Sequence, residues 1–319
     1  MKRKFRLLLP ILAACFSLCS CDWIQIGDDD TTSKDYGTFY QGYDLTLRGS
    51  DLADELQRLC FAKHTKYISY AQVNTYYKKT SDRDSAEAIK AGSSINQWFY
   101  TGKEASGIGT REHVWPCANS ASLWEHAKDG SIHDVDAESK YYGAGSDLYH
   151  VRTCESYVNT VRGNSKYVDF DDDEFESLRP SIKEYGETNG KWMIKVTGTK
   201  ANEETGKQEY AQKCEPDDHM KGDIARILLY IWVHYYERGV TPEGTLPSRS
   251  THKYSDVTGK LSLTNVMGYS DHERCLEELK EWNKLDAPSD VEKLRNNTVQ
   301  KVQGNRNPFV DHPELVDQL

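Results

Sequence analysis

One stretch limits the fold more than any other: EPDDHMKGDIARILLYIWVHYYERG, residues 215–239. Pro216 suits the first turn of a helix, acidic residues gather near its start, and Gly239 supplies a stop. Ile224, Ile227, Leu228, Ile231 and Tyr235 recur at helical spacing and make a broad apolar face. A face that wide has to be covered, so this segment is expected to be the central core helix. DHERCLEELKEWNKLD (271–286) and SDVEKLRNNTVQKVQG (289–304) read as two further helices, separated by Pro288, the second capped by Ser289 and ended by Gly304. DLADELQRLCFAKH (51–64) sets Leu52, Leu56, Leu59 and Cys60 on one face, with Asp51 as its N-cap candidate. GKWMIKVTG (190–198) reads as a strand closed by Gly198, while YISYAQVNTYY (67–77) fits a strand or a short helix. Residues 102–170 are glycine-rich and predict short strands and loops. The acidic run DFDDDEFES (169–177) predicts a solvated loop, because the glycine and acid spacing of a calcium loop is missing. No repeat appears, and nothing between 45 and 315 looks like a linker. The expected architecture is one mixed α+β domain over residues 45–319.

The N-terminus reads as an export signal rather than as fold. Lys2, Arg3, Lys4 and Arg6 precede LLLPILAACFSL, an apolar run too short to span a bilayer comfortably, and then LCSC. This resembles a bacterial lipoprotein signal, which implies removal of residues 1–20 and a lipid on Cys21. A plain signal peptide cut nearby is the alternative. Both readings take the protein out of the cytoplasm, and the first anchors it in the cell envelope, periplasmic or at the cell surface, without spanning the membrane. The polar segment 21–44 reads as a tether. Cys60, Cys117, Cys154, Cys214 and Cys275 remain, an odd number, so at least one thiol is expected outside any disulfide. Cys117–Cys154 is one pairing the sequence allows. No two lie at C-x-x-C spacing, which argues against a cysteine zinc site.

Chemistry has few places to sit. There is no G-x-S-x-G elbow, no phosphate-binding glycine loop and no H-E-x-x-H helix. Three polar clusters remain: REHVWP (111–116), GSDLYHVRTCESYVNTVRGNSKY (145–167) and QGNRNPFVDHPE (303–314). Taken alone, His113 beside Val114 and Trp115 reads as a packed strand histidine. Asn159 reads as a helix-face or capping residue, and Arg152 and Arg162 as ion-pair partners. The net charge of −10 also weighs against a nucleic-acid binder, unless a local basic patch provides the surface.

Together the clusters read differently. REHVWP, DLYHVRTCESYVNTVRGN, CEPDDHMKGDIAR and EWNKLDAPSDVEKLRNNTVQKVQGNRNPFVDHPEL resemble, in order, four motifs of the bacterial endonuclease I family, over about residues 50–315. The resemblance implies a ββα-metal (His-Me finger) core packed against several helices. It also implies an extracytoplasmic endonuclease that cuts DNA, with RNA as a further substrate, without sequence preference and leaving 5′-phosphates. It makes His113 the general base, and Glu112 and Asn159 the protein ligands of one divalent cation, Mg2+ with Ca2+ or Mn2+ as alternatives. Arg152 becomes the candidate for holding the cleaved phosphate, and Arg111, Arg162 and Arg306 become candidate phosphate contacts. A monomer is expected. The residue chemistry agrees: a neutral imidazole accepts a proton near pH 7, and carboxylate and amide oxygens suit a hard cation that keeps several waters. Contacts confined to phosphate read no base, and on an acidic body they imply a narrow basic cleft with salt-sensitive binding. The alternatives are a catalytically silent surface lipoprotein that binds nucleic acid or protein on the same scaffold, and a phosphatase using the same metal. The sequence departs from the family pattern at Tyr149, at Thr153 and Cys154, and in the segment 117–145. These departures bear on loop geometry, and His126 and His133 in that segment read as surface residues.

Overall fold

The computed structural model describes residues 36–66, 68–80, 98–103, 109–119, 143–178, 182–187, 190–196, 199–201, 208–210, 213–235 and 261–319. The export signal, Cys21, His126, His133, Gly198 and Gly239 lie outside them. Among the described residues the architecture is mixed α+β, and no helix is long and apolar enough to cross a membrane.

The long apolar segment forms helix α5 (Asp218–Tyr235), and it is buried on more than one face: every residue from Met220 to Ile231 is buried. Its start differs from expectation. Lys213–Pro216 is strand β8, so Pro216 ends a strand and Asp217 makes the turn, accepting from the Met220 and His219 amides. Around α5 pack α1 (Gly49–Lys63), α6 (His272–Leu285) and α8 (Pro308–Asp311). At Gly222 the first turn of α5 meets the end of α6, where a Cβ would lie 1.9 Å from the Asp286 carbonyl oxygen. Only glycine permits that approach. One turn later the buried Arg226 donates to both carboxylate oxygens of Glu292 on α7 (Asp290–Gln303) and to Asn283 and the Asp286 carbonyl. One guanidinium thus ties three helices, a geometry in which its buried charge is fully compensated.

Ser289 and Gly304 cap α7 as the sequence predicts, and Asp271 caps α6. Asp51 does not cap α1; that helix begins at Gly49 after Arg48, and Asp51 sits inside its first turn. YISYAQVNTYY resolves to a 3-10 turn at Tyr70–Gln72 leading into α2 (Val73–Thr80). The acidic run is a short helix, α4 (Asp172–Leu178), rather than a loop. Asp171 accepts from the Glu174 amide, and Phe170 and Phe175 are buried against Val168 and Val196, which anchors the segment despite its charge. β3 (Lys166–Tyr167), β4 (Ile182–Glu187) and β5 (Gly190–Val196) join β8 in a sheet of order β3-β8-β5-β4, with only the β3–β8 pair parallel. β6 (Thr199–Ala201) and β7 (Gln208–Tyr210) form a separate hairpin.

One boundary also shifts. Residues 36–44 belong to the domain rather than to a tether. Phe39 is buried, and the Tyr36 and Tyr40 hydroxyls donate to the Asp311 carbonyl and carboxylate. No disulfide links the five described cysteines, so the Cys117–Cys154 pairing is not made.

Candidate active site

The site grows from a two-stranded antiparallel ribbon, β1 (Thr110–His113) with β2 (Val151–Cys154), followed by helix α3 (Ser156–Arg162). Gly109 leads into it with φ 65°, and a Cβ there would lie 2.4 Å from the Cys154 carbonyl oxygen. The pairing sets Glu112 opposite Arg152 and His113 opposite Val151. Directly opposed residues share a face, and neighbours along a strand do not. Thr110, Glu112 and Arg152 therefore lie on one face of the ribbon, and Arg111 and His113 on the other.

The edge of β1 away from β2 would expose bare carbonyls. Helix α3 closes it with side chains: Asn159 Nδ2 donates to the Arg111 carbonyl (3.2 Å) and to Thr110 Oγ1 (3.1 Å), and Arg162 Nη1 donates to the His113 carbonyl (3.3 Å). Because a carbonyl only accepts, the nitrogen of Asn159 is fixed towards β1. That leaves Oδ1 outside both bonds; Thr110, which one of them meets, lies on the Glu112 face of the ribbon.

Glu112 is 2% exposed. Its Oε1 accepts from the Tyr100 hydroxyl at 2.6 Å and lies 3.6 Å from Arg162 Nε, which leaves Oε2 as the second donor oxygen. Burial pushes this carboxyl up to about 7, against the opposing effects of Arg162 and Tyr100. On the far face, His113 Nε2 donates to the Gly145 carbonyl at 2.8 Å, which puts the lone pair on Nδ1. Desolvation pulls His113 down to about 4, and the Arg111 and Arg162 charges act in the same direction. Its ring stacks on Tyr70 at 5.6 Å with a 17° interplanar angle. Arg111 lies 3.7 Å from the centre of that same ring and donates to the Tyr70 carbonyl. Arg152 rests over Phe99 at 4.6 Å and lies 3.9 Å from Asp223.

Two arginines are not where the sequence reading put them. Arg162 is 1% exposed and donates to the Val114, Gly163 and His113 carbonyls, so it braces Glu112 from inside the fold rather than lying at the surface. Arg306 is 3% exposed and grips both carboxylate oxygens of Asp311, with Gln300 and Asn297 as further acceptors. The first part of the QGNRNPFVDHPE cluster is a structural lock: Gln303, Asn305, Arg306 and Asn307 are buried. Tyr149, one of the departures from the family pattern, sends its hydroxyl to the Asn305 and Asn296 carbonyls in and beside that lock. His150 is fully buried between the Ala144 carbonyl and the Trp115 amide, and burial holds it near 3. Tyr70 and Tyr100, which touch the site directly, carried no motif that would have singled them out.

The hard oxygen pair Glu112 Oε2 and Asn159 Oδ1 fits a divalent cation of the magnesium type, which takes few protein ligands and keeps waters. Among the described residues one other group gathers ligand atoms: those of His64, Asp147 and His234 lie within 4.8 Å of one another, all buried. There the Asp147 carboxylate already accepts from Tyr230, Tyr235, the Tyr149 amide and Gln303, and His64 Nδ1 meets His234 Nε2 at 2.9 Å. Four donors use the lone pairs of a carboxylate, so this group reads as a hydrogen-bond network rather than a metal centre.

A family model described as Endonuclease I matches residues 49–314. Two curated relatives are similar over most of the chain, and both are extracellular ribonucleases. One, from Bacillus amyloliquefaciens, is 29% identical over 303 residues, covering 91% of this chain and 80% of the relative. The other, from Bacillus subtilis, is 30% identical over 288 residues, covering 89% and 79%.

Proposed function

The chain belongs to the endonuclease I family, and from that premise we propose that it is an exported nuclease that hydrolyses phosphodiester bonds in nucleic acid without reading base sequence. The observation that carries this reading is the arrangement around β1: a buried carboxyl group on one face, an imidazole with its lone pair on Nδ1 on the other, and the Asn159 amide bonded at the strand edge. Names of the Bacillus relatives make RNA a substrate to test beside DNA. The proposal includes action as a monomer held at the cell envelope by a lipid on Cys21.

His113 Nδ1 takes the proton from the attacking water. The Nε2–H bond to Gly145 and the Tyr70 stack hold the ring for that transfer. Depression of His113 to about 4 keeps the imidazole neutral, with its Nδ1 lone pair unprotonated, throughout the neutral range. Glu112 and Asn159 would hold a magnesium ion, with Ca2+ or Mn2+ as substitutes. When bound, such an ion supplies charge neutralisation at the phosphate and the leaving 3′-oxygen. Arg152, on the Glu112 face, and Arg111, on the His113 face, are the arginines left to meet phosphate, and the products would carry 5′-phosphates. Nicking of plasmid DNA and cleavage of single-stranded RNA, each with and without EDTA, test the reading. Metal-independent cleavage, or turnover of phosphomonoesters alone, would overturn it.

A pH dependence follows from Glu112. Its folded value near 7 lies above the usual 4.5, so the stability it contributes is present at low pH and is lost as pH rises from about 4.5 to about 7. His113, held near 4 against the usual 6.5, acts in the opposite sense: its contribution is lost as pH falls from about 6.5 to about 4. The two oppose each other in the metal-free protein, so the metal-dependent signal is the informative one. Apparent magnesium affinity, read from the metal-induced rise in Tm, should fall about tenfold per pH unit below 7 and level off above it. An affinity independent of pH between 5.5 and 7 would remove Glu112 from the metal.

A further inference from the structure

Tyr100 departs from ordinary backbone geometry: its φ is 74°, the only positive value at a non-glycine residue among those described. That left-handed conformation is rarely adopted by an aromatic side chain, so the surroundings must hold it in place. They do. Residues 98–103 form a tight turn closed by Trp98 N to the Lys103 carbonyl (2.8 Å) and Gly102 N to the Trp98 carbonyl (3.0 Å). The turn is pinned to the outer edge of β2 by Phe99 N to the Thr153 carbonyl (3.0 Å). Tyr100 is fully buried, and its hydroxyl donates to Glu112 Oε1 at 2.6 Å. That donation uses its one proton, so the Tyr167 hydroxyl, 2.6 Å away, must donate to Tyr100 in turn. A directional chain therefore runs Tyr167 to Tyr100 to Glu112. The preceding residue of the same turn, Phe99, supports Arg152.

We propose that Tyr100 is a positioning residue for the cation site: its strained turn delivers one hydroxyl that fixes Glu112 Oε1 and so aims Oε2 outward. This rests on the metal reading above. Partners of this kind orient ligands and commonly account for about 10- to 100-fold in metal affinity. The expectation is that Tyr100→Phe, which keeps the ring and removes the hydroxyl, weakens Mn2+ binding to the whole protein at least about tenfold in calorimetry without nucleic acid. The Mn2+ concentration for half-maximal cleavage should rise in step, while kcat at saturating Mn2+ stays near wild type. Tyr167→Phe, which removes only the outer hydroxyl, should weaken binding in the same direction by less, and it serves if Tyr100→Phe does not fold. Wild-type Mn2+ affinity in whichever of the two variants folds overturns the proposal, whatever happens to Tm. Glu112→Gln, run in parallel, separates the two failures. If it too binds Mn2+ like wild type, the ligand assignment itself is wrong and the positioning role falls with it.

Discussion

His113→Ala is expected to lower the rate of nucleic-acid cleavage by about 10²- to 10⁴-fold, the usual contribution of a positioned general base. The fold should survive the change. β1 is held to β2 by its own ladder, and α3 binds the His113 main-chain carbonyl rather than its ring. Metal binding should survive as well, because the ring lies on the face of β1 opposite Glu112. The informative result is therefore a split: kcat collapses while the thermal midpoint and Mn2+ affinity stay near wild type. A folded His113→Ala protein that cleaves at the wild-type rate would place the base elsewhere. One that loses Mn2+ would make His113 a ligand instead.

Arg162→Ala should act on stability first, costing about 3–5 kcal/mol in denaturant unfolding, the range expected when one member of a buried ion pair is removed. The guanidinium is buried, sits 3.6 Å from Glu112 Oε1, and supplies donors to three main-chain carbonyls, those of Val114, His113 and Gly163. Truncation leaves all of them unanswered in a dry environment. Adding Glu112→Gln to the variant removes the stranded charge and should restore part of the loss. A single-variant cost below about 1 kcal/mol, the scale of an exposed pair, would show that Arg162 is solvated and return it to the list of phosphate contacts.

The helices at 218–235, 272–285 and 290–303 were legible because apolar spacing and caps are local signals. The acidic helix at 172–178 was not, because two phenylalanines hold it down while its charge suggests solvent. REHVWP and YVNTVRGN pointed to the ribbon and α3, but an arginine in a motif does not announce whether it faces a phosphate or a carbonyl. Arg162 and Arg306 carry the same charge as Arg111 and Arg152, and only burial separates them. Tyr100 was invisible for another reason: its role depends on a backbone conformation that tyrosine residues do not advertise.

The lock at the C-terminal end has a consequence for biosynthesis. The loop leading into β2 is held by residues far along the chain. Leu148 N donates to Gln303, Arg295 donates to the Leu148 and Val151 carbonyls, and Tyr149 reaches the Asn305 carbonyl, at sequence separations of 144 to 156. Contacts that distant close late, since the ordering of the intervening chain has to be met first. During synthesis from the N-terminus, β1 and β2 emerge well before the residues that brace them. The ribbon carrying Glu112 and His113 therefore sets only after residues 295–305 have emerged, so a shorter nascent chain would carry both residues without the bracing that fixes them.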